Sequence, residues 1–271
     1  MKILILGAGV FGEALGKIAT YNGHETSFYD PIKYPSNKLE DLVSGKDAII
    51  YAAPSDKFQE ILPNLPTDTP LICASKGFLS IEPFKNFKSF SALGGAAFAE
   101  QIIEAITELP DEEIEKNRIT FTASSELSEQ VFSTEIVKVE YTKDTLGILL
   151  CGALKNIYAI GAGINGVASK YLTAIAQEMR DILIFNNANP ETLKLSCGIP
   201  DLLLTCTPNS RNFRFGEAIK THKAPENTTI EGLAIIKDLN NFPDFILPKS
   251  ATVIKDIIKK VEKYEEEYAA K

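Results

Sequence analysis

A chain of 271 residues that is 45% hydrophobic and 24% charged is long enough for one large domain or two ordinary ones, and too apolar to remain disordered. Its net charge of -8 argues against nucleic acid or an anionic membrane as the main partner, and obliges an anionic ligand to find a local cluster of Lys and Arg. The four cysteines (Cys73, Cys151, Cys197 and Cys206) are widely spaced and there are two histidines. That is too few grouped ligands for a metal site, and it suits reduced, buried thiols in a cytoplasmic protein.

The opening MKILILGAGVFG reads as a strand over residues 2–6 running straight into Gly7-x-Gly9-x-x-Gly12, rather than as a signal peptide. A helix is expected from about Val10 to Asn22. The first glycine permits a tight turn, the second lets backbone approach a pyrophosphate, and the third lets the helix pack on the strand. Coming between a strand and an apolar-periodic helix, the motif points to dinucleotide binding at the positive helix end. A second strand, 24–29, ends at Asp30. A carboxylate at this distance from the glycines suits the ribose 2′-hydroxyl of NAD and repels a 2′-phosphate, with Lys33 nearby to soften the repulsion; the alternative is a turn residue before Pro31.

A third strand, 47–53, ends at Pro54-Ser55, a wall of the expected cleft, and a fourth, 70–74, runs into Ser75-Lys76-Gly77. Ligands of open α/β sheets sit beyond the carboxyl ends of strands, which singles out Lys76. Residues 90–93 lead into Gly94-Gly95-Ala96-Ala97-Phe98-Ala99-Glu100, read as a strand end opening a helix with bare backbone amides. Strands at 119–123 and 136–140 complete a mostly parallel, doubly wound sheet with helices on both faces.

Helical periods dominate from about Thr142. The stretch 145–166, TLGILLCGALKNIYAIGAGING, is apolar around most of its circumference and carries Lys155 and Asn156 at its centre. It is expected to be a buried core helix rather than a membrane span. A lysine there must be paired, reach a cleft, or snorkel to water. Helices are expected at 170–187, 190–196, 210–220, 229–240 and 250–270, with a Gly198-Ile199-Pro200 break before Asp201. The final charge run, KKVEKYEEEY, suits a solvated face.

The polar residues of this half that stand in apolar or glycine-broken contexts are Lys155, Asn156, Asp201, Ser210, Arg211 and Asn212. Arg211 could grip a phosphate through two parallel bonds, with Ser210 and Asn212 adding donors. Asp201 could orient Lys155 or accept a substrate hydroxyl. Capping is the alternative for Asp201, Ser210 and Asn209. His24 and His222 sit in structural or surface positions, so a reductase built on this chain would use lysine as its proton donor.

These motifs together resemble the NAD(P)-dependent glycerol-3-phosphate dehydrogenases along most of the chain: GAGVFGEALG, SKG at 75–77, GGAAFAE at 94–100, GALKNIYAIGAGI at 152–164, GIPDLLLTCTPNSRN at 198–212 and EG at 231–232. The resemblance implies a Rossmann domain over 1–142 and an all-helical substrate domain over 143–271. It implies reversible reduction of dihydroxyacetone phosphate to sn-glycerol 3-phosphate for phospholipid synthesis, with Lys155 as general acid/base and Lys76 and Asp201 beside the reacting centre. Substrate would be held by Lys76, Gly95, Lys155, Asn156, Asp201, Ser210, Arg211 and Asn212. NAD(P), with NAD(H) favoured by Asp30, would be held by Gly7, Gly9, Val10, Phe11, Gly12, Asp30, Pro54, Lys76, Ala99, Arg211 and Glu231, with no metal. A homodimer is a further expectation. One departure is Ala97, where the family carries a hydroxyl; it leaves open a reductase of another small phosphorylated or carboxylated ketone. A non-catalytic NAD(P)-binding sensor is the remaining alternative.

Overall fold

Strand β1 (Lys2–Leu6) feeds two cores at once. Leu4 and Leu6 enter one hydrophobic cluster, while Ile3 and Ile5 enter another on the opposite face. A strand covered on both faces needs a continuous apolar run, and KILIL is one. The computed structural model of the protein describes residues 1–107, 118–224 and 228–269. β1 is joined by β2 (Glu25–Tyr29), β3 (Ala48–Tyr51), β4 (Leu71–Cys73), β5 (Phe90–Gly95), β6 (Ile119–Ala123) and β7 (Val137–Tyr141). The sheet order is β2-β1-β3-β4-β5-β6-β7, with every neighbouring pair parallel except β5 and β6.

The chain leaves β1 for β2 on one side and returns to β3 on the other. That reversal makes the carboxyl ends of β1 and β3 a switch point, the place where such sheets open a crevice for ligand. Helix α1 (Val10–Tyr21) follows β1, and the short helices α2 (Leu39–Val43) and α3 (Phe58–Ile61) follow β2 and β3. α1, α4 (Ala99–Thr107) and α5 (Glu126–Phe132) cover the Ile3/Ile5 face, burying Leu15, Ile18, Ile102, Val131 and Phe132.

On the other face, Leu39 of α2 and Phe58 of α3 join the Leu4/Leu6 cluster, and β5 packs on α6 (Thr145–Asn165), in which every residue from Gly147 to Gly163 is buried. α6 has the length and hydropathy of a membrane span, but 94% of that apolar window is enclosed by the rest of the fold. Around it stand α7 (Ser169–Phe185), α8 (Ile199–Thr205), α9 (Arg211–Thr221), α10 (Glu231–Asp238) and α11 (Thr252–Ala269). Asp144 fixes the start of α6: its carboxylate accepts from Gly147 N at 3.0 Å, and from Asn189 N and Thr192 Oγ1 at 3.0 and 2.6 Å. The architecture is an N-terminal Rossmann domain followed by an all-helical domain.

Several expected boundaries shift. β3 spans Ala48–Tyr51, shorter than expected, although Ala52 N still donates to Leu6 O at 2.9 Å. Pro200 does not separate helices from Asp201; it occupies the first turn of α8, where its missing N–H has no intrahelical partner to lose. The helix expected at 190–196 is a 3-10 turn over Pro190–Lys194. The expected final residue of the last helix, Ala270, lies outside the described residues. The charged run of α11 does face water, with Lys260 paired to Asp256 and Lys263 to Glu267.

α6 admits its neighbours through glycine. A Cβ on Gly216 of α9 would stand 2.0 Å from Ile160 O, and one on Gly163 would stand 2.1 Å from Phe213 O. Both clashes are with backbone, which cannot swing aside. Gly216→Val should therefore destabilise the fold by at least about 1–3 kcal/mol, the usual range for overpacking, as read by urea denaturation. A midpoint equal to wild type would remove this account of the helix contact.

Candidate active site

The glycine turn divides its work among three positions. Gly7 has φ +98°, and a Cβ there would lie 2.7 Å from Ala53 N, two residues past β3. A Cβ on Gly12 would meet Gly7 O at 2.0 Å, so this glycine sets how closely α1 sits on the turn. Gly9 differs: no heavy atom lies within 4 Å of where its Cβ would be. It is the N-cap of α1 and brings no side chain to the first-turn N–H groups of Val10, Phe11 and Gly12. The result is a bare cradle at a positive helix end, which fits a pyrophosphate. Val10 stands at its rim, 56% exposed.

Asp30 closes one side of this turn. Its Oδ2 accepts from Ala8 N at 2.9 Å, and its Oδ1 accepts from Ile32 N and Lys33 N, each at 3.0 Å. Burial alone would raise the carboxyl pKa, but these three N–H bonds and the Lys33 charge outweigh it and leave the group lowered. Both sequence readings of Asp30 are thus present in one side chain, a turn residue and an anion at the glycine loop. The other wall is built by aromatic packing. Tyr51 donates its hydroxyl to Pro54 O at 2.5 Å, and its ring meets Phe58 and Phe78 edge to face. Gly77 lets Ser55 fold against the SKG loop, since a Cβ there would lie 2.1 Å from Ser55 Oγ.

Lys76 reaches from that loop across the cleft. Its Nζ lies 4.7 Å from the centroid of the Phe11 ring, within cation–π range. Its stem passes Gly152 of α6, where an added Cβ would come within 3.8 Å of Lys76 Cα, Cβ and Cγ. The sheet loop, the glycine turn and the central helix therefore meet at one lysine.

Lys155 is 3% exposed and does not snorkel. Its Nζ donates to Asp201 Oδ1 at 2.6 Å and to Thr205 Oγ1 at 3.2 Å. The Thr205 hydroxyl in turn donates to Asp201 O at 2.7 Å. An ammonium has three N–H donors, so one remains for a ligand. Burial pulls the Lys155 pKa down to about 8, helped by the positive charge of Lys76 and opposed by Asp201 and Glu231. Such a group changes its protonation state near neutrality, which ordinary lysines do not.

A second polar chain runs beside the first. Asn156 donates through Nδ2 to Gly152 O and Glu231 Oε2 at 3.2 and 3.1 Å, and accepts at Oδ1 from Asn212 Nδ2 at 2.9 Å. Asn212 Oδ1 accepts from Gly232 N at 2.8 Å, at the start of α10. Glu231 also faces Arg211, 3.7 Å from Nη2, and Arg211 Nη1 reaches Thr228 Oγ1 at 3.4 Å. The Arg211 side chain stays 46% exposed, with its fork loosely held.

Some expected roles change. Asp201 does not cap α8; it lies within the first turn and its carboxylate goes to Lys155. Ser210 is the N-cap residue of α9 by position but makes no side-chain cap bond, and it is 4% exposed. The stretch after β5 is less bare than its sequence suggests. Ala97 N donates to Gly95 O at 3.1 Å, and Phe98 N donates to Gln101 Oε1 at 3.0 Å. Gln101, three residues on, closes the helix start as half of a capping box. Gly95 lies in β5, where its missing Cβ makes room for Phe121 and Thr120 O. Ala99 begins α4 and is 9% exposed. All four cysteines are free and buried. The histidines stay outside the cluster, His24 against Gln130 O and His222 near Glu267. Among the described residues, no group of three or more His, Cys, Asp or Glu could hold a metal. Sequence reading missed Thr205, although Asp-x-x-x-Thr spacing on a helix puts both side chains on one face.

The family model described as "NAD-dependent glycerol-3-phosphate dehydrogenase C-terminus" matches residues 144–263, which hold Lys155, Asp201 and the Asn156–Asn212–Glu231 chain. Over most of the chain, the similarity extends to glycerol-3-phosphate dehydrogenase [NAD(P)+] of Leptospira biflexa, 28% identical over 90% of this chain and 88% of that one. Along its length the chain is similar to the NAD(P)-dependent glycerol-3-phosphate dehydrogenases. A second relative of that name, from Colwellia psychrerythraea, is 27% identical over 96% of this chain and 91% of its own. The fold is shared with the glycerol-3-phosphate dehydrogenase structures from Coxiella burnetii (TM-score 0.77, 21% identity, 100% and 99% of the two chains) and Plasmodium falciparum (TM-score 0.78, 17% identity, 99% and 93%).

Both ends of the Asn212 amide hold other groups in place. Truncation would strand Asn156 Oδ1 and Gly232 N in a buried setting. Asn212→Ala should cost about 1–3 kcal/mol of stability per stranded group at most, seen as a lowered denaturation midpoint. A variant as stable as wild type would mean that water replaces the amide at no cost.

Proposed function

We propose that this chain reduces dihydroxyacetone phosphate to sn-glycerol 3-phosphate with NAD(P)H, reversibly, and so feeds glycerophospholipid synthesis. The observation that carries the reading is the buried Lys155–Asp201–Thr205 cluster, which faces Lys76 across the mouth of a Rossmann glycine turn. The curated relatives are named glycerol-3-phosphate dehydrogenase [NAD(P)+], and the similarity to them along the chain supports an oxidoreductase using NAD(P). We assign the dinucleotide to residues 1–142 and the substrate to residues 143–271 together with Lys76.

The dinucleotide fits the residues present: the bare Gly9 cradle for its pyrophosphate, flanked by Gly7, Val10, Phe11 and Gly12, and Asp30 for its ribose. Pro54, Lys76, Ala99, Arg211 and Glu231 would complete its surroundings. When bound, it supplies the hydride for the carbonyl carbon. The protein then has to manage charge appearing on the carbonyl oxygen. Lys155 holds a proton at Nζ, and its spare N–H can be aimed at that oxygen while Asp201 and Thr205 fix the other two. Lys76 adds a second positive charge, which stabilises the oxyanion and also eases proton loss from Lys155. Arg211, loosely held and exposed, is suited to a phosphate by its planar fork. We assign Ser210, Asn212, Asn156 and Gly95 to the same substrate. The four buried free thiols accord with a reducing, cytoplasmic setting.

Protonated Lys155 is required for reduction and neutral Lys155 for oxidation. With its pKa near 8, kcat/KM for ketone reduction should fall as pH rises through about 8, and that for glycerol 3-phosphate oxidation should rise over the same span. Lys155→Met should lower kcat by roughly 100-fold or more, without loss of NADH binding, in an absorbance assay at 340 nm (the nicotinamide band). Asp201→Asn removes the charge that favours the ammonium, so its reduction limb should move to lower pH. A Lys155→Met enzyme with full turnover, or flat profiles in both directions, contradicts the assignment. The alternative substrate of similar class, another phosphorylated or carboxylated ketone, rests on buried Ala97. It would prevail if such a ketone were turned over with dihydroxyacetone phosphate left untouched.

A further inference from the structure

One cation beside the glycine turn has no part in the chemistry above. Lys33 follows β2 in the turn that begins at Asp30, and its Nζ is ion-paired to Glu13 in the first turns of α1. The same Nζ donates to Ala8 O at 3.4 Å, while Ala8 N donates to Asp30. Lys33 and Asp30 therefore grip the two backbone groups of one residue, in the middle of Gly7-Ala8-Gly9. Both lie where an adenosine ribose would be received by the carboxylate after the second strand. A 2′-phosphate at that ribose would meet the Asp30 carboxylate, held as an anion by its three N–H bonds, and would need a cation to offset it. Lys33 is in position to do so, but Glu13 neutralises it.

We propose that Glu13 is a specificity-determining residue, which keeps the site selective for the dinucleotide without a 2′-phosphate by holding Lys33 in an ion pair across the glycine turn. The inference rests on the dinucleotide reading above and deepens it. The pair is half-exposed, 48% for Lys33 and 35% for Glu13, so it contributes little to folding and its loss leaves the turn intact. What Glu13 controls is the direction and net charge of the Lys33 arm. Asp30 sets the repulsion, and Glu13 prevents its relief.

The test is calorimetric titration of NADH, NADPH, AMP and adenosine 2′,5′-bisphosphate into the wild type, Glu13→Gln and Glu13→Gln/Lys33→Met. The wild type should favour NADH over NADPH, and AMP over the bisphosphate. Glu13→Gln should tighten both 2′-phosphorylated ligands by roughly two- to fivefold relative to their partners, the size carried by one exposed charge, and the gain should shrink as salt rises. The double variant should return to the wild-type ratio. An unchanged ratio in Glu13→Gln overturns the proposal, and so does a gain that survives Lys33→Met. Binding of none of the four ligands to wild type would instead remove the dinucleotide reading, and this inference with it.

Discussion

A buried ammonium held 2.6 Å from a buried carboxylate is the constraint around which this fold is arranged. Neither charge is tolerable alone in an apolar interior, and an ion pair there repays its desolvation only with good geometry and further hydrogen bonds. Thr205 provides those by bonding to both the lysine and the Asp201 carbonyl. The pair is placed by two different segments, α6 and the first turn of α8, so its geometry depends on how those helices meet. α6 in turn is fixed at its start by Asp144 and along its length by glycine contacts to α9 and α10. The chemistry of one lysine thus rests on the packing of the whole helical half.

The pull on that lysine also comes from outside the helical half. Lys76 belongs to the loop after β4, yet its stem lies on Gly152 and its charge lowers the affinity of Lys155 for a proton. Its ammonium sits over Phe11, at the start of the helix that follows the glycine turn. A single side chain therefore touches all three parts of the cleft. The aromatic packing of Tyr51, Phe58, Phe78 and Phe84 beneath the loop gives it a rigid base.

Strong local patterns made the strands and the long helix legible in the sequence. KILIL before Gly7-x-Gly9-x-x-Gly12 allows few readings, and a helix as apolar as 145–165 has to be buried. Lys155 stood out because its neighbours are apolar, and Asp201 because it follows a glycine-proline break. The partnership of Lys155 with Thr205 was not legible, since a threonine in a helix is ordinary until its neighbour across the fold is known. The same holds for Gln101: the stretch Gly94–Ala99 looks rich in open amides until a side chain three residues on closes one of them. The three glycine roles were legible from the motif, and the coordinates add what each one avoids. A methyl group on Gly7 would meet Ala53 N, whereas one on Gly9 would meet nothing within 4 Å.

The hydrophobic cluster that begins at Leu4 and Leu6 does not stop where the sheet ends. It continues through Ile148, Leu154 and Ile160 of α6 to Ile254, Ile257 and Tyr264 of the last helix. The two halves named by their secondary structure consequently share one interior, and neither has a finished surface of its own. Exchange of the helical half for that of a relative would leave two faces cut for different partners. Changes on the buried face of β5 must therefore be answered by changes on α6, where Gly94 already lies against Ile148.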